Sequence, residues 1–247
     1  PDVPAPELLA PAGSFACLKA AVQSGADAVY LGLKTGSARM GAENFTFEEL
    51  EQALRYAHIR GVRVYLALNT LFFEETFETG YQTAKKAAQL GVDALILQDL
   101  GLAAEIGKSR RDFPCELHAS TQMSIHNLAG VEAAAEMGIT RAVLARELSL
   151  EQIRFISQHA SIETEVFVHG ALCFCYSGQC YMSALIGRRS GNRGACAQPC
   201  RMQYSMGGRM DEYPLSLRDN CLADYLQQLE DAGVACVKIE GRMKRPE

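Results

Sequence analysis

Gly91-Val-Asp-Ala-Leu-Ile-Leu-Gln98 reads as the end of a helix followed at once by a buried strand. Glycine suits the left-handed position that closes a helix, and a short apolar run suits a parallel strand covered on both faces. The same phrase returns as Gly25-Ala-Asp-Ala-Val-Tyr-Leu-Gly32, Gly61-Val-Arg-Val-Tyr-Leu-Ala-Leu68, Gly138-Ile-Thr-Arg-Ala-Val-Leu-Ala145 and Gly233-Val-Ala-Cys-Val-Lys-Ile-Glu240. A helical stripe precedes each glycine. Before Gly61 it is Phe47, Leu50, Ala53, Leu54 and Ala57, at i, i+3, i+4 spacing. Thr46-x-x-Glu49 opens that helix as a capping box, and Ser149-x-x-Gln152 opens another.

Further strands are expected over residues 7–12, 115–120 and 165–172, which makes eight strand-then-helix units. With right-handed crossovers such a chain closes as a (β/α)8 barrel of the TIM type. A doubly wound open sheet is the alternative, but it lacks the Gly-x-Gly-x-x-Gly turn of that fold. Few residues follow Arg242, so the barrel is expected to be truncated after strand 8, as one domain (residues 1–247) of a longer protein. Residues 173–214 break the rhythm. They are expected to form a cysteine-rich insertion at the C-terminal mouth, where barrel enzymes place their chemistry.

The net charge of −5 argues against a globally basic nucleic-acid binder and leaves room for a local basic patch. No apolar run reaches the roughly 18 residues a membrane span needs. The start, Pro1-Asp2-Val3-Pro4, does not resemble a signal peptide. A cytoplasmic protein without a membrane partner is expected.

Five of the nine cysteines fall between Cys173 and Cys200, within Cys173-x6-Cys180-x15-Cys196-x3-Cys200, with Cys175 as an extra. Cys17, Cys115, Cys221 and Cys236 are scattered singly, which is not a disulfide framework. Four thiolates from two loops suit one soft-metal centre. The spacing leaves zinc and an iron–sulfur cluster both open, although zinc prefers two tight knuckles and only the second pair is tight. Cys175 reads as a bystander.

Glu165-x-Phe167-x2-Gly170-Ala171-Leu172-Cys173-x4-Gly178-x-Cys180-x-Met182-Ser183 resembles the signature of the collagenase-like peptidase family U32. Asn192-Arg193-Gly194-Ala-Cys196-Ala-Gln-Pro199-Cys200-Arg201, Lys238-Ile-Glu240-Gly241-Arg242-Met-Lys244 and Glu7-Leu-Leu-Ala-Pro11-Ala-Gly13 resemble further blocks of it, so the likeness spans essentially the whole chain. The resemblance implies that Cys173, Cys180, Cys196 and Cys200 hold a [4Fe–4S] cluster. It implies oxygen-independent hydroxylation of a tRNA or 23S rRNA base, with prephenate or a similar small carboxylate as the source of the hydroxyl group. Other members carry a peptidase label. In some members a distant cysteine replaces a clustered one, which makes Cys236 a substitute candidate.

The residues themselves give proteolysis little support. The five histidines form no His-Glu-x-x-His motif, and no Gly-x-Ser-x-Gly turn is present. His169 and Cys173 share one extended run four residues apart, roughly 13 Å, too far for a nucleophile–base pair. At the expected strand ends, His118, Glu240 and His169 are the catalytic candidates. Arg242 and Glu147 are candidate substrate contacts above core layers expected to be apolar. An internal Lys238–Glu240 ion pair and a helix-capping role for Glu147 are the plainer alternatives. Arg188, Arg189 and Arg193, with Arg201 and Arg209 nearby, could hold an RNA backbone, or simply form a solvated face. A zinc-stapled barrel that only binds a partner is the non-enzymatic alternative.

Overall fold

A computed structural model describes residues 5–34 and 43–246. The order of elements is β1 (Glu7–Pro11), α1 (Phe15–Gln23), β2 (Ala28–Leu31), α2 (Phe47–His58), β3 (Arg63–Leu68), α3 (Glu74–Leu90), β4 (Ala94–Leu97), α4 (Leu100–Lys108), β5 (Glu116–Ala119), α5 (Leu128–Glu136), β6 (Arg141–Val143), α6 (Leu150–His159), β7 (Glu163–Gly170), α7 (Met182–Gly187), β8 (Tyr204–Met206), β9 (Arg209–Glu212), β10 (Asn220–Cys221), α8 (Leu226–Asp231) and β11 (Cys236–Ile239). β1 to β6 pair in parallel in chain order, β6 pairs with β7, β7 with β11, and β11 with β1, so eight parallel strands close into a barrel.

The repeated phrase does what its residues dictate. Gly25, Gly61, Gly91, Gly138 and Gly233 all have φ between 72° and 97°, a region costly for any residue with a Cβ. Each strand begins two or three residues later. In two repeats the aspartate after the glycine ties adjacent strands together: Leu8 N donates to Asp27 Oδ2 and Val64 N to Asp93 Oδ2, at 2.8 and 2.7 Å. Thr46 and Ser149 form the expected capping boxes. Outward-facing strand residues such as Val29, Leu66, Leu95 and Leu117 pack on the helices in one continuous buried cluster.

The barrel interior departs from expectation. Only a small apolar group (Leu9, Ala28, Tyr30, Tyr65, Ala94, Ile96, Cys236) fills it, and charged side chains occupy the lower layers. Arg141, 2% exposed, donates to Glu7 Oε1 at 2.8 Å and to Glu163 Oε2 at 2.7–2.8 Å, and its Nη1 lies 3.8 Å from Glu165 Oε2. Arg63 also pairs with Glu7. Tyr65 donates its hydroxyl to both Glu7 oxygens at 2.9 Å. Lys238 pairs with Glu165 at 2.8 Å. Burial opposes ionisation of Glu165, but Lys238, His118 and Arg141 hold its carboxyl below the usual range.

The insertion is longer than its cysteines. After β7 it contains α7, the β8–β9 hairpin and β10, which runs antiparallel beside β7 and delivers the chain to α8. No described helix is long and apolar enough to cross a membrane.

Candidate active site

The top of the barrel opens into three adjoining cavities. The central one is lined by Tyr30, Asn69, Ser120, Gln122, Phe167 and Lys238, together with Arg146, Glu240 and Arg242. Above it lies a cavity of about 430 Å3 lined by Cys173, Cys196, Cys200, Arg189, Arg201 and Lys244, and again by Arg146 and Glu240. A third, of about 530 Å3, lies between Arg146, Phe174, Tyr176 and Leu217. Cations and aromatic faces alternate around the central floor. Lys238 Nζ stands 4.3 Å from the Tyr30 ring centre, the Arg242 guanidinium 5.5 Å from the same ring, and the Arg146 guanidinium 5.4 Å from Phe167. Arg242 is only 5% exposed.

Close backbone packing holds this mouth together. A Cβ at Gly13 would overlap the Arg242 carbonyl oxygen, so the loop after β1 can press on the end of β11 only with glycine there. Gly178, at φ 74°, lets the cysteine loop lie on the Gln122 carbonyl in the same way. Ser124 Oγ and Glu147 then grip Ser177. The Glu147 carboxylate accepts from both the Ser177 amide and its hydroxyl, with His126 Nε2 at 3.3 Å. Burial works against ionisation of Glu147, but these hydrogen bonds win and lower its pKa.

The thiols gather at the rim without touching as a set. Cys173, Cys196 and Cys200 face the upper cavity. Cys173 Sγ accepts from Arg146 Nη2 at 3.2 Å, and Cys196 Sγ from the Gln198 amide at 3.4 Å. The Cys200 thiol is pushed up by burial and by nearby Cys173 and Cys196, while a backbone hydrogen bond from Phe174 acts the other way. Cys180 does not line that cavity. Its carbonyl lies beside Gly191, as the Cys196 side chain does, and its thiol contacts Cys175. Among the described residues, no three His, Cys, Asp or Glu side chains stand close enough to hold a single metal ion. Cys236 is fully buried inside the barrel near Glu165 and Arg141, away from the rim.

Several sequence candidates take other roles. His118 does not reach the mouth. It is fully buried in the barrel, bonded through Nε2 to Glu116 at 2.9 Å and edge-on to Tyr65, and burial lowers its pKa. Glu147 lines the third cavity, but its carboxylate grips the cysteine loop and does not cap a helix. His169 is exposed beside Cys221 and lines none of the three cavities. Arg193 stacks on Phe73 at 4.3 Å, anchoring the insertion to the loop after β3. Arg201 donates to the Leu172 and Leu217 carbonyls and to Ser216. Arg189 bonds the Ala195 carbonyl at its Nε and faces the upper cavity, while Arg188 is exposed in the left-handed position that ends α7. The side chain of Arg209 lies outside the described part.

Glu240 and Arg242 do line the mouth. The residue missed is Arg146. It lines all three cavities, donates to the Ala171 carbonyl at 3.2 Å and to Cys173, and lies against Phe167. Its signal was its place directly after the sixth strand, one residue before Glu147.

Comparison with known proteins agrees with this architecture. The chain is 42% identical over 245 residues to the "23S rRNA 5-hydroxycytidine C2501 synthase" of Escherichia coli, covering 96% of the chain and 36% of that protein. It is 36% identical to "tRNA hydroxylation protein P1" of Bacillus subtilis (97% of the chain, 59% of that protein) and 34% identical to "Collagenase" of Porphyromonas gingivalis (98% and 62%). The chain thus spans between about a third and three fifths of these relatives. Among solved structures, the U32 peptidase Mk0906 superposes with a TM-score of 0.57 at 16% identity, covering 67% of the chain and 70% of its own. A 2,3-dimethylmalate lyase superposes at 0.55 and 13% identity, over 97% and 76%, a likeness of fold alone. The model of the family described as Peptidase family U32 matches residues 13–247, and the chain belongs to that family.

Proposed function

We propose that this chain is the catalytic barrel of an RNA-modifying enzyme that hydroxylates a base without molecular oxygen. The observation that carries the reading is a mouth cavity lined together by three cysteine thiols and several cations. It belongs to a chain whose relatives are named for rRNA and tRNA hydroxylation.

The donor set fits a [4Fe–4S] cluster on Cys173, Cys180, Cys196 and Cys200. Three of the thiols line one cavity and the Cys180 backbone lies with the Cys196 side chain beside Gly191, while N–H groups already point at the sulfurs of Cys173 and Cys196, the kind of contact that tunes such centres. A single zinc would need its sulfurs about 3.8 Å apart, from Zn–S bonds of about 2.3 Å in a tetrahedron. A cubane presents four separate irons and asks for a wider ring of thiolates. When bound, the cluster would supply electron transfer.

The chain's own residues bind and orient. Arg242, Lys238 and Arg146 present positive charge to the central cavity, the chemistry that captures a small polycarboxylate of the prephenate type. Aromatic faces beside these cations shield them from water. Glu240 lines both the central and the upper cavity and is the acid–base candidate there. Hydrolysis has less to stand on, since no histidine is among the residues lining the three mouth cavities.

Protein purified without oxygen is expected to be brown, with about four irons per chain and a broad absorbance near about 400 nm. A colourless protein holding one stoichiometric zinc would contradict this reading.

A further inference from the structure

The third cavity is more apolar than the other two and has no assigned occupant. Its walls are Phe174, Tyr176, Leu172 and Leu217, with Glu147 and Ser177 on one side and Cys173 and Arg146 at the edge it shares with the upper cavity. At about 530 Å3 it lies within the range of about 300–1,000 Å3 in which small-molecule pockets fall. Phe174, Tyr176 and Leu217 are 55%, 65% and 40% exposed, so two ring faces are offered to solvent at one opening. Tyr176 is not loose. Its ring packs edge-on against His126 at 5.8 Å, and His126 is itself fixed by the Ser124 carbonyl at 2.7 Å and by Glu147. Holding an exposed aromatic ring in one orientation is what a stacking platform requires.

Resting on the RNA reading above, we infer that this cavity receives the target nucleobase, turned out of its stack and laid against Tyr176 and Phe174. A base must leave its neighbours before chemistry at a ring carbon can reach it, and enzymes that act on bases hold the extruded ring between aromatic or apolar side chains. Arg146 stands at the boundary, where its guanidinium can donate to a carbonyl oxygen on the edge of the base. The same side chain lines the two charged cavities, so base and carboxylate would meet across Arg146 and Cys173. Arg188 and Arg189, exposed on the insertion, are left to meet phosphate.

The test uses full-length protein purified without oxygen and two short single-stranded RNAs that differ only in having a base or an abasic nucleotide at the centre. The native protein is expected to prefer the base-bearing strand. Tyr176→Leu and Phe174→Leu, which keep an apolar wall and remove the ring, should each reduce that preference by roughly 5- to 150-fold, the scale of one lost base–aromatic stack. The double variant Arg188→Ala/Arg189→Ala should weaken both strands alike and flatten the salt dependence, leaving the preference intact. Equal binding of the two strands by native protein, or leucine variants that keep the full preference, would overturn the pocket while leaving the RNA reading in place. If neither RNA binds and a collagen-like peptide does, the RNA reading fails first and the pocket with it.

Discussion

Arg141→Met is expected to destabilise the protein by about 3–5 kcal/mol, the scale for removing one partner from a buried ionic group. Arg141 has Glu7 and Glu163 at hydrogen-bond distance and Glu165 at 3.8 Å, and it is almost wholly enclosed. Methionine fills much of the same volume but removes one of the counter-charges shared by Glu7, Glu163 and Glu165. Burial alone already opposes ionisation of Glu165, which is charged because cations surround it. Glu165 keeps Lys238, so the loss falls mainly on the pairs that Arg141 makes with Glu7 and Glu163. For a chain of this length the loss corresponds to a fall in Tm of about 6–20 °C. Urea unfolding and a thermal scan would measure it, and a change under about 1 kcal/mol would show that the interior network contributes little. Adding Glu165→Gln or Glu7→Gln to Arg141→Met should return part of the loss, because neighbours in one network are not additive.

The second large effect concerns the rim. Cys173→Ala, Cys196→Ala and Cys200→Ala are each expected to reduce the hydroxylated RNA base formed in cells by at least about 100-fold. Loss of an outer partner of a metal site costs about 10–100-fold, and a direct ligand costs more. Arg146→Ala, which removes the hydrogen bond to the Cys173 sulfur, belongs in that lower range. Cys115→Ala is the control. Cys115 is buried on the far side of the strands, its thiol pushed up to about 11 mainly by burial, and its removal should leave the product unchanged. Full product from Cys173→Ala would separate the thiols from the chemistry.

Much of the barrel was legible because it is written locally. The five glycines, the two capping boxes and the apolar runs each act within a few residues, and each formed where expected. The charged interior was not legible in the same way. Alternation along β3 shows that Arg63, Tyr65 and Ala67 share one face, but not that this face points into the barrel. Glu7 and Arg141 are 134 residues apart and meet only because the sheet closes. His118 illustrates the consequence: a histidine on a barrel strand suggested a mouth residue, whereas its register put it beside Glu116 and Tyr65 below.

The site divides along the same line. The cysteine spacing and the polar ends of β11 pointed to the rim, since both lie in continuous sequence. The fate of the arginines was hidden, because sequence displays charge and not partner. Arg193 settles on Phe73 and Arg201 on carbonyl oxygens, while Arg146, with no motif around it, touches all three cavities.

We propose that this barrel places an oxygen atom on an RNA base. Mass spectrometry of nucleosides from tRNA and rRNA, compared between cells with and without the gene and cells complemented with the native chain or Cys173→Ala, tests it most directly. The account predicts one nucleoside lighter by one oxygen atom in the deletion strain, restored by the native protein and not by the variant. Identical nucleosides in all four samples would contradict it.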